Sequence, residues 1–191
     1  LESVMAKSWN KKIFKQIDHQ VNKASKDLAE ERGACPDAAE YGYQERFSNK
    51  TAIAPTASIS IICGGASPGV EPIAANSYTH KTLSGSFNVR NRYLEEILES
   101  HGKNDDETWS TITTNQGSVS HLDFLTDLEK DVFKTAFELD QKWIIELSGD
   151  RTPFISQAQS INLFVPADIH KRELHKIHFD AWKKGLKSLY Y

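Results

Sequence analysis

Apolar residues recur every three or four positions in several parts of the chain, and this spacing predicts helices. The first helix is expected over residues 3–32, and Gly33 follows it in the position that glycine favours after a helix. Two shorter helices are predicted at residues 91–101 and 106–114.

Two further helices are predicted in the last third of the chain. Apolar residues at helical spacing run through residues 126–148, so we expect one long helix there, ended by Gly149 and Pro153. Asp168 is in a position to cap a last helix, which Gly185 closes.

Strands are predicted where β-branched residues gather or alternate with polar ones. Such segments are residues 51–62, with a break at Pro55 because proline cannot donate to a sheet, and residues 154–166. A short extended piece is expected at 77–83, and a strand at 186–191. Strands that alternate with helices need crossover connections, so the predicted fold class is α/β with a mainly parallel sheet.

The composition is that of an ordinary soluble globular domain. The 191 residues are 39% hydrophobic and 26% charged, and the net charge of −3 gives no sign of a nucleic-acid partner. The sequence shows no apolar run long enough for a membrane span and no secretory signal. Two cysteines are too few for a disulfide framework, which fits a reducing cytoplasm. Because the chain starts at Leu1 and stops at Tyr191 inside a predicted strand, we expect a fragment or one piece of a split protein.

The residues that follow the break at Pro55 form one candidate site. Thr56, Ser58 and Ser60 offer three hydroxyls within five residues, and Ala57 is small enough to let an anion approach the backbone. A turn with free N–H groups at a strand end can hold a phosphate. The stretch has no lysine, so it is not a P-loop. Taken alone, these residues favour the simpler alternative, in which Ser and Thr fill the polar face of a strand.

The chain ends in two adjacent tyrosines, Tyr190 and Tyr191. Neighbouring residues on a regular strand point to opposite faces, which favours one core and one surface tyrosine. The alternative is a redox pair, because a neutral phenol can lose an electron and a proton together.

The cysteines and histidines give weaker indications. Cys35 and Cys63 lack an obvious His or Asp partner, so we expect both to be small buried apolar residues rather than nucleophiles. His175 and His178, with Asp180 nearby, indicate a solvated helix face rather than a metal site. No metal ligands are therefore assigned.

Four segments resemble class I ribonucleotide reductase large subunits. Residues 54–72 are similar to the family's substrate-phosphate segment, and residues 75–86 to the stretch just after it. Residues 154–162 look like a late barrel strand, and residues 182–191 like the terminal helix-to-strand segment. The segments cover nearly the whole chain in the family's order.

The resemblance implies the fold and the activity. The chain would be the C-terminal portion of a ten-stranded α/β barrel with several packed helices, and residues 1–191 would form one part of that domain. The family reduces ribonucleoside diphosphates to deoxyribonucleotides with electrons from thioredoxin or glutaredoxin. A metal cofactor in a small, radical-generating subunit starts the chemistry, and the large subunit binds ATP and dNTP effectors upstream. The implied partners are that subunit, the rest of the large subunit and the substrate.

The resemblance also assigns roles to residues. The positions that match the segment holding the substrate diphosphate are Pro55, Thr56, Ala57, Ser58 and Ile59. Tyr190 and Tyr191 match the tyrosine pair of the radical relay. The family's reactive and reducing cysteines lie outside the matched motifs, and Cys35 and Cys63 do not correspond to them. The alternative is therefore a catalytically inactive nucleotide-phosphate-binding or scaffold domain.

Overall fold

The computed structural model describes residues 1–64, 67–83 and 85–189. Its helices are, in chain order, α1 (Val4–Arg32), α2 (Pro36–Glu40), α3 (Ala57–Ile62), α4 (Arg92–Ser100), α5 (Asp106–Thr114), α6 (Asp127–Val132), α7 (Gln141–Arg151) and α8 (Lys171–Lys183). Its strands are β1 (Ser77–Thr82) and β2 (Gly85–Arg90). The chain divides into two compact units: the first holds Leu1–Pro55 and the described residues from Asp140 onward, and the second holds Thr56–Leu139.

The first unit is built on α1, which packs against α7 and the 3-10 turn Thr152–Phe154 that follows it. Asn10 Nδ2 donates to the Leu147 carbonyl at 2.8 Å, and Lys7 Nζ lies 2.8 Å from Glu146 Oε2. These polar contacts join α1 to α7 within the first unit.

A short parallel ladder joins two distant segments of the first unit. Ile53 forms an isolated parallel bridge with Gln159. The Ile53 amide donates to the Ala158 carbonyl at 3.2 Å, and the Ser160 amide donates to the Ile53 carbonyl at 2.8 Å. The chain before Pro55 therefore has a defined partner.

A buried apolar cluster in the second unit is drawn from α4, α5 and the segment after them. The cluster comprises Leu94, Leu98, Trp109, Ile112, Val119, Leu122, Leu125 and Phe133. Strands β1 and β2 pair antiparallel, with Ser77 opposite Arg90. Asn76, just before β1, is 1% exposed and donates to the carbonyls of Gly117 and Phe133, at 2.9 and 2.7 Å.

Three of the predicted helices are confirmed at their N-termini by side-chain caps. Ser3, Asn91 and Asp105 each accept a hydrogen bond from a first-turn amide of the helix that follows, α1, α4 and α5. The extended piece predicted at 77–83 is confirmed as β1, while its partner β2 was not predicted. The final helix is also confirmed, but its N-cap is His170 and not Asp168.

The long helix predicted over 126–148 is wrong. Helix α6 ends after Val132, and α7 starts only at Gln141. Between them the Ala136 amide donates to the Ile73 carbonyl at 2.9 Å instead of to a helical neighbour. Asp140 caps the new helix by accepting from the Lys142 amide at 3.0 Å. Both helices carry apolar residues at helical spacing, but the bond from Ala136 to Ile73 and the cap at Asp140 divide the segment into two helices.

The strands predicted at residues 51–62, 154–166 and 186–191 are not found among the described residues. Residues 57–62 form α3 rather than a strand, because Thr56 turns the chain with a left-handed backbone of φ 50° and ψ 20°. Residues 154–166 contain only the bridge at Gln159, and residues 186–189 contain no strand. A mainly parallel sheet is thus not found among the residues described, and the ten-stranded barrel stays a prediction. None of the described helices combines the length and the apolar character needed to cross a membrane.

Candidate functional site

The first turn of α3 presents a row of backbone donors. Ser60 is the first residue whose amide bonds back along the chain, to the Thr56 carbonyl at 2.8 Å. The amides of Ala57, Ser58 and Ile59 precede it and have no acceptor among the described residues, as is usual for the start of a helix. The chain therefore offers three adjacent N–H groups to an anion.

Thr56 shapes the entry to this turn. Its positive φ is uncommon for a β-branched residue, so the surrounding structure must hold it. The Gly69 amide donates to Thr56 Oγ1 at 2.9 Å, which ties the turn to the loop that follows α3. Because Oγ1 accepts this bond, its own proton remains available to an oxygen ligand. Gly69 was not singled out from the sequence, since only chain folding brings it to Thr56.

The hydroxyls of the segment take different positions. Ser58 is exposed and lies in the first turn of α3. Ser60 is buried and donates to the Ala57 carbonyl at 2.7 Å, so it stabilises the helix instead of facing a ligand. Pro55, Ala57 and Ile59 are exposed. Of the three hydroxyls noted in the sequence, those of Thr56 and Ser58 are placed to bind.

A cavity of about 430 Å³ lies beside α3 within the second unit. Its lining includes Ala57, Ser60 and Ile61, and no Asp or Glu is among the lining residues. The Arg90 guanidinium at its wall already contacts Asp106 at 2.8 Å and lies 5.1 Å from the Trp109 ring centroid. The charge of Arg90 is therefore already paired with that of Asp106.

Of the other predicted positions, the structure describes the cysteines and histidines but not the tyrosine pair. Tyr190 and Tyr191 lie outside the described residues. Cys35 is half-buried and Cys63 is exposed, so the expectation of two buried cysteines is wrong for Cys63, which follows the end of α3 in an open turn. His175 is exposed on α8, as expected for a solvated helix face. No group of three or more metal-binding side chains occurs within residues 1–64, 67–83 and 85–189.

The comparisons with known proteins give one consistent family. A family model described as the ribonucleotide reductase barrel domain matches residues 37–191. The ribonucleoside-diphosphate reductase large subunit of Invertebrate iridescent virus 6 is 49% identical over 194 residues, which cover 100% of this chain and 20% of the viral protein. Large chain 2 of the Saccharomyces cerevisiae enzyme is 33% identical, again over the whole chain and 25% of its own length.

A solved structure agrees with these relatives. The alpha subunit of the class Id ribonucleotide reductase of Actinobacillus ureae superposes with a TM-score of 0.90 at 38% identity. The match covers 100% of this chain and 34% of that subunit, so the chain spans between a fifth and a third of these proteins. The matched region is the barrel domain, seen here as helices with a small sheet. The chain belongs to the ribonucleotide reductase barrel-domain family.

Proposed function

We propose that the chain is the C-terminal part of the barrel domain in a class I ribonucleoside-diphosphate reductase large subunit. It would supply the substrate-phosphate segment Pro55, Thr56, Ala57, Ser58 and Ile59 and the relay tyrosines Tyr190 and Tyr191. The observation that carries the first role is the set of free amides at Ala57, Ser58 and Ile59, at the start of α3.

The chemistry of diphosphate binding follows from these donors. Phosphate oxygens would accept from the three amides and from the hydroxyls of Thr56 and Ser58. No Lys or Arg lies within the segment, so backbone dipoles provide the attraction. The bond between Gly69 and Thr56 orients the turn before substrate arrives, which lowers the ordering cost of binding.

The wider activity needs groups that this chain does not carry. In our proposal a cytoplasmic enzyme converts ribonucleoside diphosphates to deoxyribonucleoside diphosphates, and the cysteines that perform the reduction belong to the rest of the large subunit. A small subunit supplies the oxidising equivalent from its metal cofactor, and thioredoxin or glutaredoxin restores the reducing cysteines. Each phenol of Tyr190 and Tyr191 would take up that equivalent by losing an electron and a proton together, and would regain both when it passes the equivalent on.

The binding role is tested by placing a negative charge in the first turn of α3. In a complete large subunit carrying this chain, assembled with its small subunit, Ser58→Asp should raise KM for the diphosphate at least about tenfold, because like charges repel at short range. Ser86→Asp, at an exposed serine of β2, is the matched control and should leave KM unchanged. Equal KM values for wild type and Ser58→Asp would contradict the proposal.

The relay role is tested separately. Tyr190→Phe keeps the ring but removes the phenolic proton, so it should abolish turnover while diphosphate binding stays near the wild-type value. Persistent turnover in this variant would refute the relay role and leave the binding role intact.

The second candidate is a catalytically inactive nucleotide-phosphate-binding or scaffold domain. Its motivation is that Cys35 and Cys63 do not match the reducing cysteines. An assembly with the rest of a large subunit distinguishes the two: pyrophosphate binding without any ribonucleotide reduction would support the inactive domain.

A further inference from the structure

We propose that residues 67–71, here called the brace loop, hold Thr56 in its left-handed conformation, and that Ser67 gives the loop the shape it needs to do so. Ser67 is then a positioning residue for the diphosphate and does not touch the diphosphate itself. This inference rests on the proposed function and adds to it the residue that keeps the substrate-phosphate segment in its binding conformation.

The backbone of Thr56 needs support from another part of the chain. Its φ of 50° and ψ of 20° put a β-branched residue in the left-handed region, which costs free energy relative to an ordinary backbone. Helix α3 starts at the next residue, Ala57, so a return of Thr56 to a negative φ would turn the first amides of α3 in another direction. The arrangement of these amides therefore depends on whatever restrains Thr56.

The brace loop makes the restraining contact through Gly69. The Gly69 amide donates to Thr56 Oγ1 at 2.9 Å. Gly69 has φ 81°, which glycine adopts without steric cost, and a proline such as Pro68 favours a turn whose next residue has a positive φ. The local sequence of the brace loop therefore directs the Gly69 amide to the side chain of Thr56.

Ser67 closes the brace loop around Gly69. Its Oγ donates to the Glu71 carbonyl, so the two ends of the loop are joined. Ser67 is half-buried and Glu71 is 4% exposed, so water has little access to this bond. Without the Ser67 hydroxyl the loop can open, and the Gly69 amide can move away from Thr56.

The brace loop is attached to the buried part of the second unit at its far end. Two residues after Glu71, the Ile73 carbonyl accepts from the Ala136 amide at 2.9 Å. The amide of Asn76, which is 1% exposed, donates to the Gly117 carbonyl at 3.2 Å. All of these residues belong to the same compact unit as Thr56. The brace loop can therefore restrain Thr56 instead of moving with it.

Substitutions at Ser67 test the proposal in a complete large subunit carrying this chain, assembled with its small subunit. Ser67→Ala should raise KM for the ribonucleoside diphosphate about fivefold with kcat unchanged, because it weakens binding without altering the chemical step. Ser67→Thr keeps the hydroxyl, and Ser67 lines the cavity beside α3, which has room for a methyl group, so this variant should have the wild-type KM. A KM as high in Ser67→Thr as in Ser67→Ala would contradict a role for the hydroxyl.

A matched control excludes a general loss of stability. Ser100 Oγ donates to the Ile97 carbonyl at 2.7 Å, so Ser100→Ala removes the same kind of bond at the end of α4. Its KM should equal that of wild type, while its melting temperature should fall about as much as that of Ser67→Ala. An increase in KM as large as that of Ser67→Ala would show that KM follows stability, and would overturn the proposal.

A double-mutant cycle separates positioning from direct contact with substrate. Thr56→Val removes the acceptor of the Gly69 bond and should raise KM by itself. Because Ser67 acts through that bond in our proposal, adding Ser67→Ala to Thr56→Val should raise KM by less than about twofold. An unchanged KM in Ser67→Ala, or the same increase with and without Thr56→Val, would overturn the proposal.

Failure of the proposed function gives a different result. In that case Ser58→Asp also leaves KM unchanged. A raised KM in Ser58→Asp together with a wild-type KM in Ser67→Ala would refute the brace loop alone.

Discussion

Asn76 is a buried polar residue of the second unit that makes three side-chain hydrogen bonds, and its replacement gives a measurable prediction. Its amide nitrogen donates to the carbonyls of Gly117 and Phe133, and its Oδ1 accepts from Asn91 Nδ2 at 2.8 Å. Asn76→Ala deletes all three bonds. The Gly117 carbonyl keeps the bond from the Asn76 backbone amide, at 3.2 Å, so the Phe133 carbonyl and the Asn91 amide group lose their partner.

The loss can be estimated from those two groups. A buried group left without a partner costs about 1–3 kcal/mol. Asn91 is only partly buried and can turn toward water, so we expect unfolding free energy to fall by about 3 kcal/mol in total. Asn88→Ala, at an exposed position of β2, is the control and should change stability by less than about 0.5 kcal/mol.

Trp109 makes the assay specific for this unit, because it is the only tryptophan between Thr56 and Leu139 and is buried in the core cluster. The chain can be labelled with fluorotryptophan and unfolded in urea while the fluorine NMR resonance of Trp109 is followed. This gives the urea midpoint and the slope of the unfolding free energy against urea concentration for wild type and both variants. A difference below about 1 kcal/mol between wild type and Asn76→Ala would refute the reasoning, because it would show that the three bonds exchange for water without cost.

Three further predictions concern other parts of the chain. Gly117→Ala should destabilise the second unit by about 3 kcal/mol or more in the same urea assay, because Gly117 has φ 81° and an added Cβ would lie 2.6 Å from Ala75 Cα. The Thr126 hydroxyl and amide, together with His101, lower the pKa of Glu129 from 4.5 to about 2. The ionised carboxylate of Glu129 therefore stabilises the fold fully above pH 4.5, and this stabilisation is lost as the pH falls through about 2. Thermal melts of wild type and Glu129→Gln should therefore differ above pH 4.5 and converge toward pH 2, and a constant difference would contradict this assignment. Glu146→Gln should cost less than about 1 kcal/mol, because the ion pairs of Glu146 with Lys7 and Lys184 are about one-third exposed, and the cost should shrink when denaturation is repeated in high salt.

The elements that could be predicted are those whose boundaries are set by residues that are close in the sequence. Helices α1, α4 and α5 each carry a capping side chain next to a regular apolar pattern. The division between α6 and α7 depends instead on a bond from Ala136 to Ile73, more than sixty positions away, so apolar spacing alone predicted one helix. Helix α3 was predicted as a strand because its isoleucines favour strands, whereas the left-handed turn at Thr56 sets its conformation.

The same distinction applies to the candidate site. The motif identified Thr56 and Ser58. The structure adds that the amides of Ala57, Ser58 and Ile59 have no acceptor within the part of the chain that it describes, and that the Ser60 hydroxyl bonds within α3. Neither the bond from Gly69 to Thr56 nor the bridge between Ile53 and Gln159 could be predicted from the local sequence pattern, since both join segments that are distant or of irregular backbone.

The absence of Lys and Arg from the substrate-phosphate segment explains why such remote bonds matter. A lysine can follow a displaced phosphate because its ammonium sits on a flexible stem, and it attracts from several directions. Backbone amides at a helix start have fixed directions, so their attraction falls when the turn tilts or shifts. In this chain the turn is held by the bond from the Gly69 amide to Thr56 Oγ1. Under the proposed function, affinity for a diphosphate should then depend on backbone geometry more than on local charge.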